Sequence, residues 1–175
     1  HEAGDLTATV EAGIRLAALN ARRAEAGQRL SLDPPGDPTI GACIASDLSG
    51  PRRHRYGTMR DLVLGVTVVL ADGTIANAGG KVVKNVAGYD LGKLLCGSRG
   101  TLALIVRVSL RLHPIPAAAR TLVVSSGDPA GAWSALRRAH HQPRAVDVLH
   151  PGRMAVQFEG SEAALPAQLE TPRAL

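Results

Sequence analysis

Aromatic residues are nearly absent from this chain. Trp, Tyr and Phe together make up 2% of its 175 residues, and there is one tryptophan. A core must therefore come from Ala, Val, Leu and Ile, and a hydrophobic content of 45% is enough to build one. A single-stranded nucleic-acid surface would lack its stacking platform. The two cysteines, Cys43 and Cys96, lie far apart and neither belongs to a CxxC. That spacing argues against a zinc site or an iron–sulfur cluster held by this chain alone, and two free thiols suit a reducing cytoplasm. No apolar run reaches membrane-spanning length, and no signal peptide opens the chain. The formal charge is +5, but the basic residues are scattered. Their tight clusters are Arg22-Arg23, Arg52-Arg53-His54-Arg55 and Arg137-Arg138, which leave no nucleic-acid footprint.

The periodicity that is present reads as α+β. Leu6, Ala8, Val10 and Ala12 alternate with polar residues and predict a half-buried strand. A helix is expected over Ile14 to Ala26, stopped by Gly27. The proline-rich run Asp33 to Pro38 must be a rigid loop, and Thr39 can cap a short helix over Ile40 to Leu48. Leu62 to Leu70 is a β-branched strand, Asp72-Gly73 a hairpin turn, and Thr74 to Ala78 the return strand. Ala87 to Leu95 reads as a helix. Thr101 to Leu112 reads as a strand with Leu102, Leu104, Val106, Val108, Leu110 and Leu112 on one face.

After Pro116 the character changes. A strand at Leu122 to Val124, a helix from Pro129 to His140 and a strand pair at Val146 to Leu149 and Met154 to Phe158 follow, with a further helix near Glu162. That order predicts an incomplete ferredoxin-like unit, so residues 117–175 are expected to open a second domain.

Thr39 to Gly73 is the stretch that carries chemistry. Small residues precede a Gly-rich loop, a basic cluster, Tyr56-Gly57, Arg60-Asp61 and an apolar strand. A flat phosphorylated cofactor needs bare backbone, N–H groups facing phosphates and apolar walls. Gly41-Ala42-Cys43, Ala45-Ser46, Ser49-Gly50 and Tyr56-Gly57 are candidates for the first two tasks; a solvated glycine-rich loop is the plain alternative.

Together the motifs resemble the FAD-binding domain of the vanillyl-alcohol oxidase type, or PCMH type. The residues that carry the likeness are Pro34-Pro35, Thr39-Ile40-Gly41-Ala42, Ser49-Gly50, Tyr56-Gly57, Asp61 and Asp72-Gly73. Gly88-Tyr89-Asp90-Leu91, Leu94-Leu95 and Gly97 to Ala103 complete them. The likeness covers roughly residues 3 to 116 and matches the second FAD subdomain. It implies a mostly antiparallel sheet flanked by helices over residues 1–116, and a partial cap or substrate domain over 117–175. Leu48 to Arg53, Met59 to Gly65 and Lys84 to Asp90 most resemble the branch that contains the FAD-binding second subunit of bacterial glycolate oxidase.

That resemblance implies FAD as cofactor and oxidation of a small 2-hydroxy acid such as glycolate or D-lactate. It also implies a complex with a catalytic flavin subunit and an iron–sulfur subunit, cytoplasmic and touching a membrane only through partners. The cofactor-binding residues it implies are Pro34, Pro35, Thr39, Ile40, Gly41, Ala42, Cys43, Ala45, Ser46, Ser49, Gly50, Arg55, Tyr56, Gly57, Arg60, Asp61, Ala103 and Leu104. It assigns no catalytic residue and no metal ligand.

Three positions depart from the family pattern: Ala42 and Ala103 replace glycines, and Arg99 replaces an acidic residue. The family's pyrophosphate loop belongs to a first subdomain expected before His1. The chain as it stands is therefore expected to hold FAD weakly or not at all and to be inactive alone. A non-catalytic scaffold or partner-binding subunit is the alternative. Arg52, Arg53 and Arg55 suit a phosphate, a carboxylate or a partner surface. Arg60 and Asp61 are spaced for a local ion pair, Cys43 reads as a small buried thiol, and His54, His113, His140 and His141 read as surface residues.

Overall fold

The computed structural model describes residues 3–80, 90–138, 141–166 and 169. The fold is α+β, with antiparallel sheets and flanking helices. Its contacts divide the chain into two units, His1–Gly50 with Tyr56–Ile115, and Pro51–Arg55 with Pro116–Leu175. The sequence reading kept Pro51–Arg55 in the first unit.

The first unit is built on strands β1 (Thr7–Glu11), β3 (Val63–Val69), β4 (Ile75–Gly79) and β5 (Leu104–Arg111), in the order β1-β5-β3-β4. All three pairings are antiparallel. A two-residue ladder joins β2 (Gln28–Arg29) to β6 (His113–Pro114). The helices are α1 (Leu16–Ala24), α2 (Ile40–Ala45), α4 (Met59–Leu62) and α5 (Leu91–Leu95), with α3 (Arg53–Tyr56) preceding α4 in the chain. The Asp72-Gly73 turn closes β3 onto β4, with Gly73 at φ +86 and the Asp72 carboxylate accepting from the Thr74 N–H at 2.9 Å. One face of the sheet packs on α1, α2 and α4 through Leu19, Ile40, Ile44, Met59, Leu62, Val108 and Leu110, each at most 1% exposed.

Two irregularities in the β3–β5 ladder correct the expected strand face. Val63 faces Leu110 but Gly65 faces Ser109, so Leu64 is an extra residue on β3. Thr67 faces Arg107 but Val68 faces Ile105, so Val106 is an extra residue on β5. An extra residue reverses the alternation beyond it. Val108 and Leu110 are buried as expected, whereas Ile105 packs on the core and Leu104 is 66% exposed. The helix expected from Ala87 is seen from Leu91; residues 81–89 lie outside the described set.

The second unit contains β7 (Ala118–Ser125), α6 (Pro129–Arg138), β8 (Ala145–Leu149) and β9 (Arg153–Gly160). Strand β9 lies between β7 and β8 and is antiparallel to both, so β7-α6-β8 is a split βαβ unit. Its core is Leu136, Met154, Val156, Phe158 and Leu165. Near Glu162, residues 162–164 form a turn, and residues 165, 166 and 169 are helical.

Candidate functional site

Helix α2 is the centre of the expected site, and local chemistry fixes both its ends. Thr39 is the N-cap, and its hydroxyl accepts from the Ala42 N–H at 3.2 Å. The Ile40 and Gly41 N–H groups donate to the carbonyls of Ile14 and Ala12, at 2.9 and 2.8 Å. Cys43 donates to Thr39. The four N–H groups of the first turn are thus used inside the protein, and the expected phosphate donors are not found there. The same docking is close at Gly41, where a Cβ would lie 3.1 Å from the Ala12 Cβ, a tight contact.

The other end of α2 meets the second motif. The Gly97 N–H donates to the Ile44 carbonyl at 3.0 Å, and the Arg99 N–H donates to Ala45 at 2.7 Å. The loop Gly97 to Gly100 therefore caps the helix C-terminus, with Gly97 and Gly100 at φ +80 and +76. Ser98 in this loop has a buried hydroxyl without a hydrogen-bond partner among the described residues.

The remaining predicted residues brace this frame. A Cβ on Gly50 would run into the Asp33 backbone, so the proline loop lies directly against it, with Pro34 buried and Pro35 exposed. The Ser49 hydroxyl accepts from the Met59 N–H at 3.2 Å. The Asp61 carboxylate accepts from the Thr58 N–H at 2.8 Å and its hydroxyl at 3.1 Å, capping α4 rather than pairing with Arg60. Gly57, at φ +84, leaves room for that carboxylate.

Several expectations change. Ile40 is fully buried and belongs to the core, and so does Cys43, the small buried thiol expected from the sequence, so no ligand can rest on either side chain without rearrangement. Burial pushes the Cys43 thiol up to about 11. Arg55 falls in the second unit. Leu104 lies on the exposed side of the sheet, beyond the bulge, while Ala103 is half-buried.

A cluster that the sequence reading missed surrounds Tyr56. The Arg29 guanidinium donates to the Tyr56 hydroxyl at 3.3 Å and sits 5.6 Å from the ring centroid. His113, opposite Arg29 in the β2–β6 ladder, packs on Tyr56 at 4.7 Å between ring centroids. His113 is half-buried rather than on the surface. Burial, then the Arg111 and Arg29 guanidiniums, lower it to about 4. Pairings across so much sequence leave no local signal.

Residues 1–79 match the family model described as FAD binding domain. Over these residues, somewhat less than half of its length, the chain is similar to FAD binding domains. Glycolate oxidase subunit GlcE of Escherichia coli is 38% identical over 125 residues, which is 70% of this chain and 36% of that protein. D-lactate dehydrogenase [cytochrome] 1, mitochondrial, of Saccharomyces cerevisiae is 39% identical over 121 residues, 69% of this chain and 21% of that protein. The chain therefore spans between about a fifth and two fifths of these relatives. A solved alkyldihydroxyacetonephosphate synthase superposes over 98% of this chain and 38% of its own, with TM-score 0.76 and 20% identity, a likeness of fold.

Against FAD, the first unit offers a partial fit. Ala42 on α2 and Ser46 at its C-cap are exposed, and the Gly97–Gly100 loop at that C-terminus is open, since a Cβ on Gly100 would meet nothing within 4 Å. Small side chains and an unpartnered Ser98 hydroxyl suit the flat, hydrogen-bonding part of such a cofactor. Cavities of about 670 and 680 Å³ lie elsewhere in this unit, along β1–α1 and on the exposed sheet face. Of the predicted residues, only Leu104 is among their described linings.

Proposed function

We propose that this chain contributes the ring-side half of an FAD site in an oxidoreductase acting on a small 2-hydroxy acid such as glycolate or D-lactate. The observation that carries the reading is the joining of α2, which lies within the residues similar to an FAD binding domain, to the Gly97–Gly100 loop. The similarity to a glycolate oxidase subunit and to a D-lactate dehydrogenase supports the substrate class and favours an oxidoreductase over a scaffold subunit. Bound FAD would supply the two-electron acceptor for oxidation of the hydroxy acid.

The chain's own residues have simpler tasks. Ala42 and Ser46 offer a level surface, Ser98 a hydroxyl, and Pro34, Gly50 and Asp61 hold that surface rigid. The phosphates need donors outside the first turn of α2, which a preceding subdomain would provide. The first unit is then part of the FAD domain, and the second opens a substrate domain. A catalytic flavin subunit and an iron–sulfur subunit are the proposed partners, in a cytoplasmic complex that reaches a membrane only through them.

Flavin retention tests this. The chain in its full reading frame should purify yellow and keep its flavin absorbance through desalting. Ala42→Phe should lower FAD retention about tenfold or more by blocking that surface, while leaving the unfolding midpoint unchanged. A colourless full-length protein that does not take up added FAD would overturn the proposal.

A further inference from the structure

We propose that the second unit carries a binding pocket for a small flat organic carboxylate, independent of the flavin reading. A cavity of about 340 Å³ is lined by His54, Arg55, Trp133, Arg137, His141 and Gln142, with Pro143 at its edge. That volume lies at the lower end of the roughly 300–1,000 Å³ typical of small-molecule sites. Arg55 and Arg137 are exposed, and no acidic residue is among the described lining. Two guanidiniums without a lining carboxylate make an anion site, and their planar forks match a carboxylate's two oxygens.

Three rings give the site its shape. His54 meets Trp133 edge to face, with centroids 5.3 Å apart and planes at 85°. This contact ties the Pro51–Arg55 segment to α6, where Trp133 and Arg137 stand one turn apart. His141 packs edge to face on Phe158, 6.0 Å between centroids. Its buried Nε2 has no hydrogen-bond partner among the described residues. A buried ring nitrogen without a partner is one that a ligand oxygen or a bound water would satisfy. Flat apolar walls, two cations and an unsatisfied nitrogen select a ligand that is anionic at one end and planar at the other.

Trp133 is the only tryptophan, so its emission reports on this pocket. The chain is titrated with sodium benzoate, sodium phosphate and benzyl alcohol, followed by tryptophan emission and by calorimetry. Benzoate should bind saturably and shift Trp133 emission. Phosphate should bind at least about tenfold more weakly, and the neutral alcohol should not bind. Arg55→Gln and Arg137→Gln should each weaken benzoate about tenfold, as expected for losing a hydrogen bond to a charged group. Raised salt should weaken benzoate binding to the unaltered chain, a readout that needs no variant. No saturable benzoate signal, equal binding of benzyl alcohol, phosphate as tight as benzoate, affinity indifferent to salt, or folded variants of unchanged affinity would each overturn the assignment.

Discussion

The backbone N–H of Gly97 donates to the carbonyl of Ile44 at 3.0 Å. This bond joins two motifs that stand far apart in the chain. At the C-terminus of this six-residue helix the Ile44 carbonyl also accepts from the Asp47 N–H at 3.1 Å, whereas the Ala45 carbonyl takes its donor, the Arg99 N–H, from a loop with positive φ at both glycines. The proposed FAD surface is built on that junction.

The close approach of Gly50 to Asp33 should make Gly50→Ala costly. The new methyl would meet backbone, which cannot swing aside. Overpacking of this kind costs about 1–3 kcal/mol. Urea unfolding should show a lower midpoint for Gly50→Ala, whereas Gly36→Ala should lose less, since nothing lies within 4 Å there and only its φ of +72 is strained. Equal losses would show that the Asp33 contact is not tight.

The bulge at Val106 can be read through two leucines of one strand. Leu110→Ala empties a fully buried site and should cost about 2–5 kcal/mol. Leu104→Ala changes a mostly exposed side chain and should stay within about 0.5 kcal/mol. An unbroken alternation would place both in the core and make the two losses comparable.

Stability should depend on His113 between roughly pH 4 and 6.5. Its folded-state value, lowered to about 4, lies below the ordinary histidine value of 6.5. In that window the unfolded chain binds more protons than the folded one, so stability rises with pH. The contribution is fully present above about 6.5 and is lost as pH falls toward 4. His113→Gln should narrow the difference in unfolding free energy between pH 7 and pH 4. An unchanged difference would place His113 in solvent.

Both thiols should resist labelling in the folded chain. Burial raises Cys43 and Cys96 to about 11, leaving little thiolate near neutral pH. A thiol-specific disulfide reagent at pH 8 should react slowly with native protein and promptly with two thiols after denaturation. Rapid native labelling of Cys43 would contradict its burial.

What the sequence determined by itself was local. Thr39 capping α2, the Asp72-Gly73 turn, the rigid proline loop and the strand alternation of β1 follow from side chains acting on backbone within a few residues. The family likeness also rests on such local motifs, and it named the cofactor and most of the residues that frame α2. Only the tertiary structure decided the rest. It reversed the face of Leu104 through an extra residue on β5, sent Ile40 into the core, and gave Pro51–Arg55 to the second unit. It also brought Arg29, Tyr56 and His113 together. Each of these outcomes depends on which distant backbone or ring comes within a few ångströms, and periodicity along one chain does not encode that distance.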